Sequence, residues 1–262
     1  MNGNTVKGRP GGTYTLQIKL PDGRTYQSTP EKMPVVSKPA DSPFYRVVTD
    51  TRITNGIEIN SFMVNIYLNT SLAENNKTGL YRWAVSEVWN IFPTCLPGAI
   101  SCPPICYIYE PYSRFNLKVV KAADYSEFAI RELLLLSRGI DFSFNGRHYF
   151  NVTQYSMNQQ AYEYWNKVEQ LITKRGSIFD APPAIIPGNI SNVSNPDELV
   201  LGYFEASATQ LTRTFVDRGA IHTYVETCFY YDPYFSFTNI SQFCFDCTRH
   251  VGSTIVQPGW YW

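Results

Sequence analysis

RHYFNVTQYSMNQQAYEYWNKVEQLITKRG, residues 147–176, holds the two periodicities on which the fold turns. Arg147 to Tyr155 alternates residue by residue, the period of a strand. From Ser156 the period changes. Ala161, Tyr164, Trp165, Val168, Leu171 and Ile172 recur at steps of three and four and line one helical face, while Gln160, Glu163, Lys167 and Gln170 face water. A helix over about 156–175 is expected. Ser156 is its N-cap, and Gln159, three residues on, completes a capping box. Gly176 lies just past the end, where a left-handed residue closes helices.

Outward from the helix the chain reads as strand. Phe44–Thr49, Ile57–Leu68 and Leu80–Trp89 are expected strands, and Phe115, Leu117 and Val119 alternate in another. On Leu80–Trp89, Tyr81, Trp83, Val85 and Glu87 share one side. Phe128–Leu136 fits a buried strand or a helical turn, because its length does not decide between them. Leu199–Ala206, Leu211–Val216 and Val225–Tyr231 resume strand character after an irregular Pro-, Gly- and Asn-rich stretch, Ser177–Asn195. Near the start, Tyr14, Leu16, Ile18 and Leu20 alternate with polar residues. Pro21-Asp22-Gly23 makes a turn, and Tyr26–Thr29 returns. A lone hairpin is not stable, so this one must pair with something else, strands outside this sequence being one source. Pro30, Pro34, Pro39 and Pro43 mark a linker. The expected class is mainly β with one amphipathic helix: an antiparallel β-sandwich or barrel-like domain.

Composition bounds the function. Apolar residues make up 44% of the chain and charged residues 17%, which excludes a disordered polyelectrolyte. The 19 Tyr and 16 Phe favour half-buried pleated surfaces. Net charge is zero and no basic stripe occurs, so nucleic acid is not an expected partner. No apolar run approaches the roughly 20 residues that span a bilayer. The polar start, MNGNTVKG, lacks the apolar stretch of a secretory signal. Either the protein is cytosolic or the natural start is missing.

Six cysteines, Cys95, Cys102, Cys106, Cys228, Cys244 and Cys247, form two groups. The first lies in a Pro-rich segment, FPTCLPGAISCPPIC, that opposes regular structure and would gain order from covalent closure. Disulfides in an oxidising compartment fit, with the pairing left open. The rival reading is a zinc site from Cys228, Cys244, Cys247 and His250.

The chemistry-bearing residues are sparse. No phosphate-binding glycine loop, HExxH or GxSxG occurs. His148, His222 and His250 are the only histidines, and a His without a placed partner makes no catalytic case. Asp180, before Ala181-Pro182-Pro183, reads as a turn former. The chain is therefore expected not to be an enzyme and to hold no cofactor or metal, a hydrolase with carboxylates assembled only by the fold being the remaining alternative. Tyr230, Tyr231, Tyr234 and Phe235, around Asp232-Pro233, suggest a ligand or partner surface, against the default of loop and core packing.

The run YSMNQQAYEYWNKVEQLITKRGSIFDAPPAIIPGNI, followed by NPDELVLGYFEAS, resembles the signature of a Bacteroidetes domain of unknown function, family 4249. LYRWAVSEVW resembles its tyrosine–arginine–tryptophan strand, and FCFDCTRHVGSTIVQPGWYW its Cys-rich tail. The resemblance implies a secreted lipoprotein whose first domain is immunoglobulin-like. GGTYTLQIKLPDGRTYQS would then end that domain, giving residues 1–33 as its C-terminal fragment and 34–262 as the β-rich family domain, with signal and lipidated cysteine missing. It implies a place at the outer membrane, periplasm or cell surface, beside a TonB-dependent outer-membrane receptor in nutrient capture. A stand-alone glycan- or peptide-binding module is the alternative. The resemblance carries over no catalytic residues. Within the signature, 177–190 is expected to pack against the helix or to serve as an interface, with Gly188 permitting a tight turn.

Overall fold

The computed structural model describes residues 8–35, 41–54, 57–71, 79–95, 100–111, 117–125, 129–173, 185–225, 228 and 242–261. Fourteen strands and one α-helix are placed among these residues. The signature stretch begins with β11, His148–Ser156. It lies between β7, Leu80–Ile91, and β13, Ala208–Val216, antiparallel to both. On its other edge β7 pairs β8, Cys106–Glu110, and β9, Leu117–Lys121, and β8 in turn pairs the short β14, Ser253–Thr254. A second antiparallel sheet runs β10–β6–β5, from Ala129–Gly139, Ile57–Ser71 and Phe44–Thr54.

The two sheets face each other across one core. Val64, Ile66 and Leu68 of β6 and Ile130 and Leu136 of β10 meet Trp83 and Val85 of β7 and Phe150 and Val152 of β11. Their period-2 spacing places each set on one face. The architecture is an antiparallel β-sandwich, and the sheets do not close into a barrel. β7 is buried on both faces, which accounts for apolar residues at both odd and even positions along it. Tyr81, Trp83, Val85 and Glu87 do share the inner side.

The helix, α1, spans Gln159–Thr173, shorter than expected at its start, and its C-terminal Gly176 lies outside the described residues. Ser156 is not its cap. It remains in β11, paired with Tyr81 and Ala208. Asn158 takes the role, its Oδ1 accepting from Ala161 N at 2.8 Å. Ala161 is fully buried against Leu80 and Met157, while Gln160, Glu163, Lys167 and Gln170 are exposed. Among the described residues no helix is long and apolar enough to cross a membrane.

Of the Phe128–Leu136 stretch, Phe128 lies outside the described residues and the rest is strand, in β10. It is irregular, with register shifts at Ile130/Leu133 and Leu134/Leu136 and Glu132 at φ 52°. Such bulges spoil the simple alternation by which a strand is read. The expected strand over Leu199–Ala206 does not form. Gly202 adopts φ +114°, and the Asn189 side chain takes both backbone groups of Phe204, so the segment spends its hydrogen bonds elsewhere. Of the other expected strands, Phe115 and most of Val225–Tyr231 lie outside the described residues.

The N-terminal hairpin is β2, Gln17–Lys19, and β3, Thr25–Ser28, joined through Gly23 at φ +90°. Its third strand comes from within the chain: β12, Ile190–Asn192, pairs β3 in the register Ile190–Ser28. β1, Thr13–Tyr14, pairs β4, Glu31–Lys32, beside it.

Candidate functional site

The signature stretch folds into a polar junction around Glu31, which is fully buried. Its carboxylate accepts from Asn158 Nδ2, from Tyr203 Oη and, at 3.1 Å, from Asn189 Nδ2. Burial, and then the hydrogen bond to Glu31, push the Tyr203 hydroxyl far up, so it stays a donor. Asn158 thus caps α1 with one side-chain atom and holds β4 with the other. Gly188 is required here, though not for a left-handed turn: a Cβ would sit 1.5 Å from Gly202 O. The two backbone runs touch, and only glycine leaves room. Of the 177–190 stretch, residues 177–184 lie outside the described residues.

A second knot lies one layer away. Arg82 of β7 is sandwiched between the rings of Tyr155, 3.8 Å, and Trp165, 4.3 Å. Its NH2 donates to Glu205 Oε2 at 3.1 Å, and Trp165 Nε1 donates to the same oxygen. This cation–π stack with a charge-assisted bond fixes α1 on the outer face of the sheet.

His148 is the one histidine drawn into a network. Fully buried, it stacks between Phe144 and Phe150 at 4.3 and 4.7 Å. Its Nε2 lies 2.8 Å from Glu87 Oε2, and its Nδ1 3.3 Å from Ser143 O. Arg138 of β10 reaches across the sandwich to Glu87 at 3.1 Å and to Asp141 at 2.8 Å. The Ser143 hydroxyl bonds Asp141 and receives from Arg138, so the group has no serine–histidine contact of the kind nucleophilic catalysis uses. It latches the two sheets together. His222 is exposed, and His250 packs edge-on against Trp89 and Phe243.

This latch makes stability acid-sensitive. Burial raises the Glu87 carboxyl, but the His148 and Arg138 donors outweigh it and hold Glu87 below the ordinary carboxylate range. A carboxyl with a depressed folded pKa contributes stability that is present above its unfolded value and lost as pH falls through the folded one. Urea midpoints of the wild type should therefore fall on acidification below about pH 5. Glu87→Gln should be less stable at neutral pH and flatter over that window. An equally steep acid slope in the variant would exclude Glu87 as a contributor.

All six cysteines are paired. Cys95 joins Cys102, Cys106 joins Cys247, and Cys228 joins Cys244. The zinc reading of Cys228, Cys244, Cys247 and His250 fails because the three sulfurs are bonded to other sulfurs. Cys106, Cys228, Cys244 and Cys247 gather with Trp89, Ile91 and Ile108 in a satellite core that pins the C-terminal tail to β7 and β8. Farther along, Tyr261 Oη donates to Asn90 Oδ1 at 2.6 Å, and Arg213 stacks 4.3 Å over Trp260.

Among the clefts on the surface of the described residues, two bear on ligand binding. One, of about 350 Å³, opens where β8 ends and is lined by Ser86, Glu87, Tyr109, Glu110 and Asn151. Glu87 and Glu110 are cross-strand partners here, an arrangement the sequence did not reveal. Both are already engaged, Glu87 by His148 and Arg138, and Glu110 by Trp89 Nε1 at 2.8 Å. The other, of about 540 Å³, lies at the root of the β5–β6 hairpin, between Phe62 and Tyr224. Tyr230, Tyr231, Tyr234 and Phe235, the surface expected from sequence, lie outside the described residues. Reading the sequence also missed Glu31, Arg82 and Glu205, which are charged residues that only partners make legible in a core.

Comparison with known proteins yields a family. The family model described as Domain of unknown function (DUF4249) matches residues 2–213, stopping short of the Cys-rich tail. No curated protein and no solved structure matches the chain. The matched segment contains the Glu31 junction, the Arg82 stack and the whole of the expected signature, and it covers well over half the chain: the protein belongs to the DUF4249 family.

Proposed function

We propose that this protein is a non-catalytic component of the bacterial cell envelope, lipid-anchored at the outer membrane or cell surface, and an accessory partner of a TonB-dependent outer-membrane transporter in nutrient capture. The observation that carries the reading is the pairing of all six cysteines, two of the three bridges in a buried core. Disulfides persist in oxidising compartments and are rare in the cytosol. The charged residues of the interior support it further: Arg82 is spent on Glu205, Glu87 on His148, and Glu31 on Asn158, Asn189 and Tyr203, which suits a scaffold that binds. A hydrolase would have the Glu87–Glu110 pair to draw on, and paired acids need one carboxyl raised toward neutrality. His148 and Arg138 hold Glu87 below the ordinary carboxylate range, which unsuits Glu87 itself as the acid of such a pair.

The test is affinity purification of the full-length protein from outer membranes in mild detergent. A TonB-dependent receptor is expected at near-equal amount in the eluate. Recovery of a solitary monomer, or of a protein with reduced thiols inside the cell, would remove the proposal. The stand-alone glycan- or peptide-binding module remains the second reading, favoured by the two open clefts.

A further inference from the structure

We infer that the cleft between the β5–β6 hairpin and Tyr224 is a binding site for a neutral oligosaccharide. The inference deepens the capture role proposed above by naming the nutrient class, and rests on it for its biological sense. Its geometry stands separately. β10 leaves the sheet after Gly139 pairs Met63, and Ile140 N closes the fork on Phe62 O at 3.0 Å. Beyond the fork β5 and β6 continue alone, from Thr49–Phe62 to Thr54–Ile57. The opposite wall is the Ile221–Val225 segment. Ile221 and Val225 are buried in the sandwich core, and Arg218 ties down the carbonyls of Ile221, at 2.7 Å, and Thr223, at 3.4 Å. Tyr224 stands between these anchors with its own side turned out, 79% exposed, and Phe62 across the cleft is 42% exposed.

One exposed ring on a surface means little. Here two open into the same concavity, of about 540 Å³, on a fixed backbone. That volume is within the range of small-molecule sites, roughly 300–1,000 Å³. Asn60, on the same strand face as Phe62, and Thr223 line the cleft with the rings, while Asp50 and Ser61, paired on the opposite face, border it. The Asn60 carbonyl already accepts from Thr51 Oγ1 at 2.6 Å, which orients its amide N–H groups as donors. A wall of rings with amide and hydroxyl groups matches the chemistry of a pyranose, whose ring faces are apolar and whose rim is hydroxyl. The charge is selective as well. Among the described residues the lining offers no Lys, Arg or His to hold an anion, and one carboxylate is too few for a dehydrated divalent cation.

The experiment probes an array of neutral glucan, xylan, mannan and galactan oligosaccharides with the full chain, then titrates the retained sugars by calorimetry. Tyr224→Ala serves as the test variant, because an exposed ring can be removed without disturbing the core. An unchanged unfolding midpoint verifies this. The wild type should retain at least one neutral oligosaccharide, and Tyr224→Ala should weaken it by about fivefold to tenfold. Asn60→Ala should weaken the same sugar. Three results would each overturn the inference: no neutral sugar retained, equal affinity in wild type and Tyr224→Ala, or retention only of acidic sugars or of peptides. Receptor co-purification without sugar binding would dismiss this site and leave the transporter reading standing. Sugar binding without a receptor would do the reverse.

Discussion

Glu31→Ala is expected to lower the unfolding free energy by about 3–5 kcal/mol. The carboxylate is fully buried and satisfies three donors from three distant segments, Asn158, Asn189 and Tyr203. Deleting it takes an acceptor from three half-buried donors, of which Asn189 Nδ2 keeps Phe204 O and Asn158 Nδ2 keeps Lys32 O, at about 1–3 kcal/mol for each bond left unmade. The loss is local in its first effect. The β1–β4 and β2–β3–β12 pairings depend on Asn189 and Glu31 to reach the rest of the chain. Chemical denaturation measures the loss, and amide exchange shows where it begins, with Thr25–Lys32 opening before β11. A change under about 1 kcal/mol, the size of one ordinary hydrogen bond, would mean the junction is not a stability centre.

Removing the Cys106–Cys247 bridge, by paired alanine substitutions, should cost about 2–5 kcal/mol. The two residues are 141 apart, against 7 for Cys95–Cys102 and 16 for Cys228–Cys244. A cross-link stabilises mainly by restricting the unfolded chain, and the restriction grows with the logarithm of the loop. On that scale the long bridge is worth about 2–3 kcal/mol more than Cys95–Cys102. Its position adds to this, since both half-cystines are fully buried in the core that holds the tail to Trp89 and Ile108. Melting of the three double variants gives the order directly. If loss of Cys95–Cys102 proved as damaging as loss of the long bridge, loop closure would not be the source of the stability.

The elements legible from sequence were those whose side chains repeat. Arg147–Tyr155 and the Ala161–Ile172 face carried clean periods of 2 and 3.6, and both elements formed within a few residues of expectation. The cap was misplaced because Ser156 and Asn158 are both good caps by type. Met157 N is bound by Leu80 O, which holds the chain in the strand alignment past Ser156, and that contact is tertiary. Leu199–Ala206 misled in the same way. Its apolar residues suit a strand, but the side chain of Asn189 supplies the partner that a neighbouring strand would have supplied.

What the chain determines by itself is the kind of architecture and the inventory of cross-links: alternating apolar residues demand a two-sided sheet, one amphipathic stretch demands a helix, and an even set of cysteines in Pro-rich and tail segments suits bridging. Which cysteines meet, where the N-terminal hairpin finds its third strand and what a buried glutamate, arginine or histidine is for were decided only in three dimensions. The reason is physical. Periodicity reports the environment of each side chain along its own element, whereas a buried charge or a half-cystine is defined by a partner that can lie more than a hundred residues away, as Glu31 lies from Asn158 and Cys106 from Cys247.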